Sequence, residues 1–323
     1  MRALNVVPHA AHRAWPHLHT PNLGGRDLLS VHDLNPDEVE FILHLAERAK
    51  AQPNRYKNAL LGRELALLFE KPSLRTRVTF ELAMIESGGR VISLGPQEVG
   101  MGRRESVKDV ALNLSRWVDC IMARVLSHRS LRELAENATV PVINGLSDFE
   151  HPCQALGDYL TLLEHFGHLP GLALAWVGDG NNVAHSLIFG AARLGVSIRV
   201  ATPPGHEPDS DVVDEAKLEG CSIYMTHDPA DAVAGADAVY TDVWTSMGQE
   251  AEAEMRQRIF LPFQVNAELM RKAKPGALFM HCLPARRGME VTDEVIDSPR
   301  SAVYDQAENR LHIQKAILLA LLS

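Results

Sequence analysis

The sequence predicts an α/β chain of two doubly wound parallel-sheet domains of similar size, joined by helices. Three observations carry that expectation. From residue 34 to the C-terminus, short apolar runs alternate with longer amphipathic stretches, the order that arises when parallel strands are linked by covering helices. The run Glu64-Leu65-Ala66-Leu67-Leu68-Phe69 reads as a buried strand, as a parallel sheet covered on both faces requires. Gly167, Pro170 and Gly171 punctuate the middle of the chain, after which the alternation begins again. A length of 323 residues, about twice the ~150 of an ordinary domain, leaves room for two cores.

Taken in order, Asn35-Pro36-Asp37-Glu38 supplies an N-cap, a proline at the first helical position and an acid at the third, followed by Val39, Ile42, Leu45 and Ala46 on one helical face. A strand is expected over 64–69, a helix over 75–87, a strand over 89–94, a helix over 106–117, a strand over 120–125, a helix over 130–137 and a strand over 140–144. A connecting helix over 154–165 runs into the Gly/Pro turn, and the domain boundary is expected beside it. The second series reads strand 172–177, helix 182–194, strand 197–201, helix 210–218, strand 222–226, helix 229–234, strand 238–242, helix 262–273, strand 277–282 and a terminal helix from 309. The expected division is an arm (1–22), a first domain (23–150) to which the terminal helix (309–323) returns, and a second domain (151–308).

Bulk properties remove several classes of function. With 32 Lys and Arg against 41 Asp and Glu, a net charge of −9 disfavours a global electrostatic grip on nucleic acid or anionic lipid, so any anion must be held locally. The longest apolar run, Ala316 to Leu322, is far short of the ~20 residues that span a bilayer, and no membrane partner is expected. Cys120, Cys153, Cys221 and Cys282 form no CxxC pair and no zinc-finger spacing, which argues for neither disulfides nor a metal and for a cytoplasmic location. The segment before Asp27 contains Arg2, Arg13 and Arg26 but no acid; Pro8, Pro16 and Pro21 interrupt it, so it lacks the apolar stretch of a secretory signal, and a transit peptide is the alternative to a plain arm.

In parallel sheets ligands sit beyond the carboxyl ends of the strands, and the residues there are the functional candidates. After 64–69 comes Ser73-Leu74-Arg75-Thr76-Arg77, which opens a helix: free backbone N–H groups, two hydroxyls and a guanidinium suit a phosphate dianion, and the alternative is a capped helix with surface arginines. No Walker loop is present, so ATP is not implied. Arg124 ends an apolar strand, where it either pairs with a buried carboxylate or meets a ligand. In His151-Pro152-Cys153-Gln154, His151 and Gln154 can each direct a donor at one carbonyl oxygen, unless the histidine is structural. Gly178-Asp179-Gly180-Asn181-Asn182 imitates a dinucleotide fingerprint, but Val183 stands where the third glycine belongs, leaving Asn181 and Asn182 as amides for a polar molecule or as helix caps. Asp242, followed by Val243-Trp244-Thr245-Ser246-Met247-Gly248-Gln249, can take an ammonium, with the Ser246-Met247 turn presenting N–H groups to a carboxylate, or the turn is simply capped. His281-Cys282-Leu283-Pro284 ends the last strand; with no base beside Cys282, covalent catalysis is not expected.

Together these segments, in this order and from about Leu23 to the C-terminus, resemble the motif set of the ornithine carbamoyltransferases of the aspartate/ornithine carbamoyltransferase family. The resemblance implies transfer of the carbamoyl group of carbamoyl phosphate to the δ-amine of L-ornithine, giving L-citrulline and phosphate, without metal or organic cofactor. It implies that Ser73, Leu74 through its backbone, Arg75, Thr76 and Arg124 hold the phosphate, and that Thr76, Arg124 and His151 polarise the carbamoyl oxygen. By the same resemblance Gln154, the Leu283 carbonyl and Arg310 orient the carbamoyl group. Asp242 takes the α-ammonium, Asn182 with Ser246 and Met247 takes the α-carboxylate, and Cys282 lies beside the attacking amine. The first domain becomes the carbamoyl phosphate domain, the second the ornithine domain, the catalytic residues Arg124, His151 and Cys282, and the assembly a homotrimer or a multiple of one.

The sequence departs from the family at Gly100, where members often carry a glutamine that reaches a neighbouring subunit, with Gln97 close by; at Arg103-Arg104, often Arg-Gly; at Arg286, often His; and in the arm. Competing expectations are a sister enzyme using acetylornithine, putrescine or aspartate, an NAD-dependent dehydrogenase, and a non-catalytic binding protein. Aspartate would call for basic groups near Asp242, and putrescine for no carboxylate donors.

Overall fold

The computed structural model describes residues 21–245 and 252–322. Asn35 caps α1 (Pro36–Ala51): its side chain accepts from the Glu38 N–H while Glu38 reaches back to the Asn35 N–H, the reciprocal box expected from the sequence. The first half continues with β1 (Glu64–Phe69), α2 (Leu74–Glu86), β2 (Arg90–Leu94), α3 (Pro96–Val99), α4 (Val107–Leu114), β3 (Cys120–Arg124), α5 (His128–Asn137) and β4 (Val142–Leu146). Then α6 (Pro152–Phe166) crosses to the second half, ending on Gly167 in the left-handed conformation.

The second half comprises β5 (Ala173–Val177), α7 (Asn182–Leu194), β6 (Ser197–Ala201), α8 (Ser210–Leu218), β7 (Ile223–Thr226), α9 (Pro229–Val233), β8 (Ala238–Thr241), α10 (Ala253–Phe260), α11 (Ala267–Met270), β9 (Leu278–His281), α12 (Asp293–Ile296) and α13 (Val303–Leu322). Both sheets are parallel; the strand order is β2-β1-β3-β4 in the first and β7-β6-β5-β8-β9 in the second. The chain is therefore the expected pair of α/β units. In each sheet the order reverses once, between β1 and β3 and between β5 and β8, and a crevice opens outside the strand ends at such a reversal.

The period of two along the strands distributes side chains between layers. Leu65 and Leu67 of β1 and Leu174 and Trp176 of β5 join one continuous core that also takes in α1, α6, α7 and α13, whereas Ala66 and Leu68 pack into a second core and Ala175 and Val177 into a third. The shared core ties the halves together: α13 packs on α1, α2 and α6, so the C-terminal helix returns to the first half.

Three expectations need correction. The helix expected over 262–273 is a 3-10 turn (Leu261–Phe263), a bridge from Val265 to Val291 and α11, because Asn266 caps α11 and restarts the helix there. The terminal helix begins at Val303, not 309, because its first turns bury polar Gln306 and Asn309, which apolar periodicity does not register. The strand expected over 140–144 lies at Val142–Leu146, Pro141 offering no N–H for the ladder. Gly100 has a left-handed φ of 57° and a Cβ there would meet the Arg104 Cβ at 2.9 Å, so this turn excludes a glutamine at that position; Gln97 stands exposed on α3.

Candidate active site

At the first reversal, Ser73 caps α2 with extended backbone and without spending its hydroxyl on the helix, which leaves the hydroxyl and the first-turn N–H groups available to a ligand. Leu74 is exposed, Arg75 half-buried and Thr76 fully buried. Arg124, at the end of β3, donates to Thr76 Oγ1 at 3.3 Å, and Arg310 donates to the same oxygen at 2.9 Å. Arg310 also donates to Gln154 Oε1 at 3.0 Å, and Gln154 Nε2 donates to Asp158 at 2.8 Å. Residues from α2, β3, α6 and α13 thus form one bonded lattice. Contrary to expectation, Arg310 does not open the terminal helix but lies two turns inside it, where α13 crosses α2 and α6.

Electrostatics in this crevice are strained toward an anion. Burial pulls the Arg124 guanidinium down to about 10, and the neighbouring Arg310 and Arg75 charges add to the effect. Burial also lowers Arg75 and Arg310. His151, capping α6 with its backbone N–H donating to Ser186 Oγ at 2.9 Å, is held well below the ordinary histidine range by burial and then by the same arginines. Its imidazole is neutral near pH 7, and its Nδ1 is buried without a protein partner. A neutral ring offers one N–H to a developing oxyanion.

At the second reversal, Asp242 follows β8 and is 8% exposed. Asn181 Nδ2 donates to one of its oxygens at 2.8 Å and the Cys282 thiol donates to the other at 3.0 Å. Asn181 also caps α7 by accepting from the Val183 and Ala184 N–H groups, so of the two readings left open by the sequence its amide takes the helix cap. Asn182 begins α7 and donates across the interface to the Ser147 carbonyl at 2.6 Å. Ser246 and Met247 lie outside the described residues. Among the described residues next to them, Trp244 is held by Arg256, which donates to the Trp244 carbonyl at 2.5 Å and pairs with Asp179 at 2.6 Å.

Cys282 sits after β9. Burial and then the Asp242 charge push its thiol well up, so it stays protonated, which agrees with the absence of a nucleophilic role. Leu283 is the only non-glycine residue with positive φ among the described residues, at 56°, a conformation that costs roughly 1–2 kcal/mol. Asp242, His281 and Cys282 bring ligand atoms within 4.8 Å of one another, but the set is internally satisfied: the thiol is on Asp242, and the two His281 nitrogens are on Leu283 and Glu290. Asp242 and Cys282 lie near enough to Arg75 to raise its pKa against the lowering by burial.

Sequence reasoning missed Asp158, which also accepts from Gln306 Nε2 at 2.8 Å and from the Tyr240 hydroxyl at 2.9 Å. Burial raises its pKa to about 7 against these stabilising bonds. An acid in the midst of the apolar run Leu156-Gly157-Asp158-Tyr159-Leu160 was the available signal.

Known proteins match this chain over most of its length. The family model described as "Aspartate/ornithine carbamoyltransferase, carbamoyl-P binding domain" matches residues 26–164, and "Aspartate/ornithine carbamoyltransferase, Asp/Orn binding domain" matches 170–321. The ornithine carbamoyltransferase of Thermococcus kodakarensis is 54% identical over 92% of this chain and 96% of its own, and the anabolic ornithine carbamoyltransferase of Pyrococcus furiosus matches at the same identity and coverage. Among solved structures, ornithine carbamoyltransferase from Pyrococcus furiosus superposes with a TM-score of 0.90 at 53% identity, covering 94% of this chain and 98% of that one. The enzyme from Thermus thermophilus gives 0.85 at 51%, covering 92% and 99%.

Proposed function

Because the chain belongs to the aspartate/ornithine carbamoyltransferase family, we propose that its two crevices each hold one substrate of a carbamoyl transfer to ornithine, carbamoyl phosphate at the first sheet and L-ornithine at the second. The domains are then 23–150 with the C-terminal residues 309–323 for carbamoyl phosphate and 151–308 for ornithine, preceded by the arm 1–22. Ser73, the Leu74 backbone, Arg75, Thr76 and Arg124 receive the phosphate. Arg124, Thr76 and His151 face the carbamoyl oxygen, while Gln154, the Leu283 carbonyl and Arg310 orient the amide.

Ornithine enters with its α-ammonium on Asp242, its carboxylate on Asn182 and the Ser246-Met247 segment, and its δ-amine beside Cys282. The deprotonated amine attacks the carbamoyl carbon, the carbonyl oxygen gathers negative charge, the C–O bond to phosphate breaks, and phosphate leaves with the electron pair; citrulline remains after the nitrogen loses its proton. Fixed donors at both places where charge grows lower the barrier without reorganising at the moment of reaction. The observation that carries the reading is the lattice in which Arg310 bridges Thr76 and Gln154 beside Arg124, opposite an Asp242 held ready by Asn181 and Cys282.

The proposed setting is arginine biosynthesis in the cytoplasm, in keeping with cysteines that are all free thiols. Among the described residues no helix is long and apolar enough to cross a membrane. A homotrimer or a multiple of one is proposed from the family resemblance, and the exposed apolar stripe Leu74, Val78, Leu82 and Ile85 along α2, with Ile92 on the edge strand β2, offers a surface for self-association. The activity test is incubation with carbamoyl phosphate and each of ornithine, acetylornithine, putrescine and aspartate, followed by detection of the ureido product. Product from ornithine is expected; product from another amine alone would overturn the substrate assignment.

A further inference from the structure

The strand end that carries Cys282 and Leu283 is braced by a buried pair behind it. His281 and Glu290 side chains are both 0% exposed, and His281 Nε2 lies 3.2 Å from Glu290 Oε1. On the other side of the ring, His281 Nδ1 accepts the Leu283 N–H at 2.8 Å. A backbone N–H can only donate, so Nδ1 carries the lone pair and the ring proton sits on Nε2, directed at the carboxylate. Glu290 Oε1 also accepts the Arg286 N–H at 2.5 Å, tying the far end of the turn to the same oxygen. Glu290 itself is anchored: its carbonyl accepts the Val265 N–H at 2.8 Å, and Val291 bridges to Val265.

We propose that Glu290 and His281 are positioning residues for carbamoyl transfer: Glu290 fixes the His281 tautomer, the ring fixes the Leu283 N–H, and the pair holds Leu283 in its left-handed turn with its carbonyl at the reacting amide. The inference rests on the role given above to the Leu283 carbonyl. It explains why an aliphatic residue is kept at a φ of 56° where glycine would be unstrained. With Glu290 gone, the ring is free to move its proton to Nδ1, which then opposes the Leu283 N–H donor to donor and releases the turn. Glutamine at 290 keeps an acceptor for both donors, and its NH2 falls where Glu290 Oε2 has no protein partner.

The experiment uses the full-length enzyme. Ring 15N resonances of His281, assigned by difference with His281→Asn, are expected to show an unprotonated Nδ1 and a protonated Nε2 in the wild type and in Glu290→Gln, and a mixed or inverted pattern in Glu290→Leu. Turnover is measured in parallel: Glu290→Leu should lose about 10–100-fold in kcat, the scale of a remote misplacement, with the KM for ornithine within about twofold, while Glu290→Gln stays within about threefold of wild type. A protonated Nδ1 in the wild type overturns the proposal, and this outcome does not depend on Glu290→Leu folding. A Glu290→Leu enzyme whose tautomer shifts while kcat is unchanged also overturns it, and places the failure in the role of the Leu283 carbonyl rather than in the Glu290–His281 pair.

Discussion

The two strand-end crevices are built on the same parallel-sheet plan and carry opposite charge. The first gathers Arg124 and Arg310 on one threonine hydroxyl with Arg75 close by, each guanidinium lowered by burial. The second presents one carboxylate, Asp242, whose oxygens are aimed by a neutral amide and a thiol. Topology fixes where a ligand can sit, and a handful of side chains at the strand ends fix which ligand it is. On the proposed assignment a dianion offsets the crowded guanidinium charges of the first crevice, and the Asp242 carboxylate of the second meets a cation.

The largest effect expected from disturbing this contrast is in the cationic crevice. Arg124→Ala should cost about 3–4 kcal/mol of transition-state stabilisation, on the order of 10²–10³-fold in kcat/KM, the scale of one lost charged donor. Steady-state assay of the ureido product checks it, and near-wild-type turnover would remove Arg124 from the site.

A smaller effect concerns the helices that hold the halves in register. Gly190 on α7 lies against Tyr159 of α6, and an added Cβ would come 2.3 Å from the tyrosine ring. Gly190→Ala should lower stability by about 1–3 kcal/mol through overpacking, seen as a reduced Tm, and an unchanged Tm would mean that α6 and α7 adjust freely.

The smallest concerns pH. Glu150 accepts from the Val31 N–H and Ser186 at the junction of the halves, and burial raises its pKa from 4.5 to about 7. Between those values the folded state binds a proton that the unfolded chain has released, so this group's contribution to stability falls as pH rises through that window. Glu150→Gln keeps an acceptor and loses the titration. The Tm of wild type minus that of Glu150→Gln should therefore decline from pH 5 to pH 8, by an amount equivalent to about 1–2 kcal/mol; a flat difference would place the Glu150 pKa near its ordinary value.

The sequence makes the strands and most helices readable because each buries apolar side chains at the period of its geometry, as in β1 and β5, and because Asn35, Asn181 and Asp209 announce helix starts. It hides elements that bury polar groups. The inward positions of α13 include Gln306, Asn309, Arg310 and Lys315, whose burial follows from partners on α2 and α6 that no local pattern reveals. For the same reason Asp158 and Glu290 escaped notice although the residues they brace, Gln154 and His281, were visible in their motifs. α10 escaped too, since it buries only Arg256 and Phe260.

The claim that each half holds one substrate is tested most directly by the two KM values of Asp242→Asn. Loss of the carboxylate charge should raise the KM for ornithine by about 30-fold or more, equivalent to roughly 2–5 kcal/mol for one partner of a buried charge pair, and leave the KM for carbamoyl phosphate within about twofold. An equal rise in both values, or a rise for carbamoyl phosphate alone, would contradict the division of the two crevices between the two substrates.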